Sequence, residues 1–155
     1  MPRRAATLPG KAAAGTLAWL LDSNIWSEAL RPEPSPHVMR QLQRHEGALA
    51  LAAPVWHELR FGWLRMPQGR RRDLIGSYLN DVLAPLPMLP YDAAAARIHA
   101  DIRAARERIG RPLPHADGQI AAIALAHGLT VVTRNTADFA QIDRLPVADW
   151  HTAAP

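Results

Sequence analysis

The clearest periodicity in the chain runs through RPLPHADGQIAAIALAHGLTVVTRNTADF, from Arg111 to Phe139. Ile120, Ile123, Ala124 and His127 recur at helical spacing, which predicts a helix from about Ala116 to His127. Gly128 supplies a left-handed stop. Leu129–Thr133 is then a short apolar run, enough for one buried strand, and it breaks into Arg134–Asn135–Thr136. Helix, glycine and buried strand in succession mark an α/β unit with a parallel sheet.

The rest of the chain follows the same grammar. Leu17–Leu21 suits one buried strand and ends in Asp22–Ser23–Asn24, residues that favour turns and helix caps. A short helix is expected over Ile25–Leu30, then a proline-rich loop over Arg31–Pro36. Ser35 and Pro36 read as cap and first residue of a helix to about Glu46, with Val38 and Leu42 inward. Leu49–Ala53 is a second strand, and Pro54 opens a helix, Val55–Leu64, that carries Glu58. After a break at Gln68–Gly69, Arg70–Leu83 predicts an amphipathic helix with Leu74, Ile75, Tyr78, Leu79 and Val82 as its stripe. Ala84–Pro90 is too rich in proline for a central strand and suits an edge. Asp92 caps a helix to Ile109, with Ile98, Ile102, Ala105 and Ile109 inward and Gly110 as its stop. Arg97, Arg103, Arg106 and Arg108 fall off that stripe. Leu145–Val147 offers a last strand before Trp150. With no repeat and no linker, the pattern predicts a single α/β domain: a central parallel β-sheet of four or five strands flanked by α-helices.

Composition narrows the classes. The 155 residues suffice for one domain with a real core, and 48% hydrophobic residues exclude wholesale disorder. The absence of cysteine excludes a disulfide scaffold and thiolate zinc sites, and suits a reducing, cytoplasmic setting. No apolar run is long enough to cross a membrane. Arg3, Arg4 and Lys11 precede the apolar Ala12–Leu21, as in a signal peptide, but Asp22–Ser23–Asn24 follows instead of a small-residue cleavage site. Residues 1–16 are therefore expected to be a flexible N-terminal extension. The net charge of +4 permits a polyanionic partner without demonstrating one.

The acids carry the chemistry. In open α/β sheets ligands sit outside the carboxyl ends of the strands. Asp22 ends the first strand and Asp138 follows a later one; Glu58 and Asp117 lie on helices that open at the same expected edge. Taken singly, each has an ordinary reading: Asp22 as a helix cap, Glu58 as a surface acid paired with arginine, Asp117 as an N-terminal helix acid, Asp138 as a turn aspartate. Taken together, four carboxylates at one edge repel unless a cation lies between them or some are protonated. An all-oxygen, carboxylate-rich site suits Mg2+ or Mn2+, ions that bind phosphate oxygens and activate water.

The segments LLDSN, HELRFG, ADGQIAAIALAHG and VVTRNTADF resemble, in order and spacing, the PIN-domain ribonucleases of the VapC toxin type. The resemblance spans residues 17–150 as a PIN domain and leaves 151–155 as a tail. It implies an Mg2+- or Mn2+-dependent endoribonuclease, the toxin of a toxin–antitoxin pair. The metal ligands and catalytic acids would be Asp22, Glu58, Asp117 and Asp138, with Asn24, Thr133 and Asn135 as supporting polar groups. It further implies an RNA substrate, a homodimer and a cognate VapB-type antitoxin. Ser23 departs from the family's usual threonine but keeps the hydroxyl, and the fourth acidic position, Asp138, is the family's most variable.

Setting those four aside leaves ten of 14 acids against 18 basic residues, a surplus of eight positive charges for the rest of the chain. Arg70, Arg71 and Arg72, Arg111, and Arg134 are the candidates for holding RNA phosphates. Two rival phosphate-handling folds, haloacid-dehalogenase-like phosphatases and response-regulator receivers, need a lysine late in the chain, and the single lysine is Lys11. The rival from another class is an interaction module that binds a partner protein or nucleic acid with little catalysis, to which exposed Trp26, Trp56 and Trp63 would contribute.

Overall fold

A computed structural model describes residues 17–152. The expected extension 1–16 and the end of the expected tail, 153–155, lie outside the described residues. Five short strands are built where apolar runs were expected: β1 Trp19–Leu21, β2 Leu49–Ala52, β3 Met88–Leu89, β4 Thr130–Val132 and β5 Val147–Ala148. They form one sheet in the order β3-β2-β1-β4-β5, and every pairing is parallel. Leu20, Leu21, Ala50, Leu51, Val131 and Val132 are fully buried, because helices cover both faces of a parallel sheet. The short strands β3 and β5 stand at the edges, with Pro87 and Pro90 on either side of β3 where they cost no central ladder bond.

Seven α-helices connect the strands: α1 Ser23–Trp26, α2 Pro36–Arg44, α3 Ala53–Leu64, α4 Arg70–Tyr78, α5 Ala93–Arg108, α6 His115–His127 and α7 Thr136–Phe139. The caps read from the sequence form. The Ser35 hydroxyl accepts from the Val38 amide at 3.3 Å and the Asp92 carboxylate from the Ala95 amide at 3.0 Å. Gly128 closes α6 at φ 67°, a conformation that favours glycine.

Five details differ from the periodicity reading. The helix expected over Ile25–Leu30 begins earlier, as α1, and ends as a 3-10 turn, Ser27–Leu30. The helix expected to reach Leu83 is α-helical only to Tyr78 and finishes in a π turn, Leu79–Leu83. The wider turn brings Leu83 inward beside Leu79 and leaves Val82 exposed. Leu74 is also exposed, at 55%, because α4 turns its Arg72–Gly76 edge toward Trp63 of α3. On α5 the inward residues are Ala95, His99, Ile102 and Arg106, whereas Ala105 and Ile109 face solvent. Arg106, read as lying off the stripe, is only 6% exposed. Counting apolar side chains missed this face because two of its positions are polar groups that find partners inside, and partnered polar groups can be buried. His127 is exposed at the end of α6, although the middle of that helix, Ile120–Ala124, is buried all round.

Strand order fixes where a ligand can sit. The chain steps from β1 outward through β2 to β3, then crosses back to β4 on the other side of β1. The switch point therefore falls between the carboxyl ends of β1 and β4. α6 underlies this edge from within the core. We expect Ile123→Ala to cost about 2–5 kcal/mol of unfolding free energy in urea denaturation, as for other cavity-forming core truncations. A loss near zero would mean that α6 does not anchor the sheet.

Candidate active site

Asp22 and Thr133 follow β1 and β4 directly, so parallel pairing sets them side by side. The Thr133 hydroxyl donates to Asp22 Oδ2 at 2.9 Å, and the Ser23 amide donates to Asp22 Oδ1 at 2.8 Å. Asp22, 6% exposed, thus has both oxygens oriented, one of them as the cap of α1. The capping reading of Asp22 is realised, and a carboxylate has lone pairs enough to accept a further ligand as well. Thr133 Oγ1 also accepts from the Asn135 amide at 3.0 Å and lies 3.5 Å from Asn24 Nδ2. Asn24 Oδ1 accepts from the Arg134 amide at 3.2 Å. The three supporting polar residues thereby lock the loop after β4 to the loop after β1.

The other acids approach from helices. Glu58 projects from α3, and the Ser23 hydroxyl donates to its Oε2 at 3.4 Å. Asp117 stands in the first turn of α6 and Asp138 in α7. The Asp117 pKa is raised to about 6, first by burial and then by the charges of Asp22, Asp138 and Glu58. Asp117 therefore feels the charges of the other three acids, of which Glu58 and Asp138 are exposed and Asp22 is buried. None of the four forms an ion pair with a basic side chain among the described residues. They converge without closing: among the described residues no three acid or histidine side chains form a ready coordination shell.

Glu28 shows what compensation looks like. Burial alone would raise its pKa, but the Ser35 amide at 2.7 Å, His151 at 3.1 Å and the nearby Arg31 outweigh that effect and lower it. Asp117 has the burial without such partners.

The arginine candidates divide. Arg134 and Arg111 are exposed and flank the two C-terminal acid segments. Arg70 is exposed at the start of α4, whereas Arg71 donates to the Leu30 carbonyl at 3.0 Å and Arg72 lies 4.9 Å from the centre of the Trp63 ring. Arg71 and Arg72 therefore have packing roles of their own. Trp26 is buried, and Trp56 and Trp63 pack against the core, so these three do not build the exposed aromatic surface of an interaction module. Among the described residues no helix is long and apolar enough to cross a membrane. Reading the sequence missed Ser23 as a partner of Glu58, and it missed His99 and Arg106; their polar i, i+7 spacing on α5 was the only signal.

The parallel sheet in the order β3-β2-β1-β4-β5, with helices on both faces, defines a doubly wound α/β domain whose switch point lies beside Asp22 and Thr133. The chain belongs to the PIN-domain family, whose model matches residues 19–145. It is 36% identical over 136 residues to the protein called Toxin FitB of Neisseria gonorrhoeae, covering 85% of this chain and 98% of that one. It is 36% identical over 138 residues to VapC ribonuclease Y4jK of Sinorhizobium fredii, covering 86% and 99%. Among solved structures, that of FitAB bound to an IR36 DNA fragment superposes with a TM-score of 0.82 at 32% identity, over 88% of this chain and 98% of the other.

The raised Asp117 pKa has a sign that can be measured. Folding tightens the hold of Asp117 on its proton, so its ionisation disfavours the folded state. The destabilisation is fully present above about pH 6 and fades as pH falls toward the ordinary 3.8. In metal-free protein we expect Asp117→Asn to raise the melting temperature at neutral pH, with the gain vanishing in acid. A lower melting temperature at neutral pH would contradict the repulsion.

Proposed function

We infer that this chain is an endoribonuclease of the VapC kind, the toxin of a type II toxin–antitoxin pair, which hydrolyses RNA phosphodiester bonds at an Mg2+ or Mn2+ centre held by Asp22, Glu58, Asp117 and Asp138. The observation that carries this reading is the Asp22–Thr133 hydrogen bond at the β1/β4 switch point, with Asp117 near enough to feel the charges of Asp22, Asp138 and Glu58. Membership of the PIN-domain family and likeness to a named VapC ribonuclease supply the nuclease context.

The donor set fits a hard divalent ion: it is all oxygen, strongly anionic and free of basic partners. When bound, such an ion neutralises charge at the phosphate and lowers the pKa of an attacking water. The residues of the chain do the rest. Thr133 and the Ser23 amide fix the Asp22 carboxylate in one orientation, so little of its freedom is lost when a ligand arrives. Ser23 steers Glu58 toward the same edge. Asn24, Thr133 and Asn135 hold the two strand ends together beneath the substrate.

Outside this acidic centre the chain carries the surplus of positive charge needed to hold a polyanion. Arg134, exposed and adjoining the Thr133–Asn24 lock, is the foremost phosphate ligand, with Arg111 beside the other acid segment. The FitAB relative was solved as a complex on DNA. By that likeness we propose a homodimer and a VapB-type antitoxin, which would silence the centre by presenting an arginine or lysine to the acids.

Asp22→Asn keeps shape and removes one charge. We expect it to abolish Mg2+-dependent RNA cleavage while the circular dichroism spectrum stays native. Full cleavage by the variant would remove Asp22 from the site, and folded protein that binds RNA or an antitoxin without any metal-dependent cleavage would favour an interaction module. Arg134→Gln should weaken RNA binding across sequences and flatten its salt dependence by about 0.7 in log–log slope, the value for one phosphate contact on a single strand. An unchanged slope would place the RNA path elsewhere.

A further inference from the structure

The two C-terminal acids sit on segments that share one unexpected neighbour. α5 buries two polar side chains on its inward face, His99 and Arg106, only 5% and 6% exposed. They are seven residues apart, two helical turns, and so stand about 10 Å from each other along one face. Each touches main chain next to an acid.

Among the described residues Arg106 forms no ion pair with a carboxylate. Its Nε donates to the Arg111 carbonyl at 2.8 Å, and its Nη1 donates to the carbonyls of Asp138 at 3.3 Å and Ala140 at 3.2 Å. A buried guanidinium is costly unless its donors are satisfied, and here main-chain oxygens at the end of α7 satisfy it. Those carbonyls lie where the partial negative charge of a helical turn gathers, which suits a cation. The geometry fixes the backbone of the turn that carries Asp138.

His99 meets α6 at Gly118, the residue after Asp117. A Cβ on Gly118 would lie 2.3 Å from His99 Nε2 and 2.7 Å from its Cδ2, far inside contact distance. Glycine is therefore required for the imidazole to lie against the first turn of α6. The other ring nitrogen, Nδ1, is 2.8 Å from the Tyr91 hydroxyl, which fixes the ring from the far side. The His115 ring, 4.9 Å away, closes the seat.

We propose that α5 is the positioning element of the site, with His99 seating the turn that carries Asp117 and Arg106 holding the turn that carries Asp138. This inference rests on the four-acid reading above. Neither residue touches substrate; each sets the place of an acid through its main chain. Supporting groups of this kind tune metal affinity by about 10–100-fold.

The test is Mn2+ binding to the purified chain, followed by calorimetry, beside thermal melting. Arg106→Lys keeps the charge but cannot span three carbonyls. It is expected to weaken Mn2+ binding at least about tenfold in protein that is still folded. A purely structural Arg106 would lower the melting temperature and leave the Mn2+ affinity of the folded protein unchanged, which would overturn the proposal. The seat is tested independently by a double-mutant cycle. Gly118→Ala should weaken Mn2+ binding in the wild-type background and cost nothing further in a His99→Ala background, where the clash is gone. Equal losses in both backgrounds, or none in either, would refute the seat. Asp22→Asn serves as the reference: if it leaves Mn2+ binding intact, the four-acid reading itself fails. If it abolishes binding while the α5 variants bind normally, the positioning proposal alone is wrong.

Discussion

The hydrogen bond from Thr133 to Asp22 ties together the ends of two adjacent parallel strands, and the arrangement of that sheet edge depends on it. Parallel pairing of β1 with β4 delivers the two residues to the same level without any designed loop. Asn24 and Asn135 then read the same junction, one through its side chain and one through its amide. A single hydroxyl thus orients the most buried of the four candidate acids, receives the turn after β4 and meets the turn after β1. Its removal would release all three at once.

Around this junction the structure holds together charges that repel. The raised pKa of Asp117 is the visible cost. The opposing term is burial of the strands on both faces and of α6 all round its middle, a contiguous apolar core that sets the helix ends regardless of what the acids prefer. Clustered acids of this kind are an arrangement that local preference alone would not choose. Glu28, by contrast, is held by the Ser35 amide and His151.

Much of this was legible in the sequence for physical reasons. Fully buried parallel strands appear as short apolar runs, which is why β1, β2 and β4 were found within two residues of their ends. Ser35, Asp92 and Gly128 announced helix ends by their chemistry. Asp22 and Asp138 drew notice as acids after apolar strands, and Glu58 and Asp117 joined them through the resemblance of the segments that carry them. What the sequence concealed were contacts between side chains and distant main chain. The inward face of α5 was misplaced because His99 and Arg106 satisfy themselves on Tyr91 and on carbonyl oxygens that no periodicity reveals. The π turn at Leu79–Leu83 likewise shifted a stripe that a uniform helical period would have carried through to Val82.

The central claim is that four separate acids form one metal centre at the β1/β4 switch point. Crystals of the chain soaked in Mn2+ and measured for anomalous scattering test it without reference to any substrate. The account predicts a strong anomalous peak among the carboxylates of Asp22, Glu58, Asp117 and Asp138, lost in crystals of Asp22→Asn. A well-occupied peak elsewhere in the molecule, with none at this edge, would contradict it.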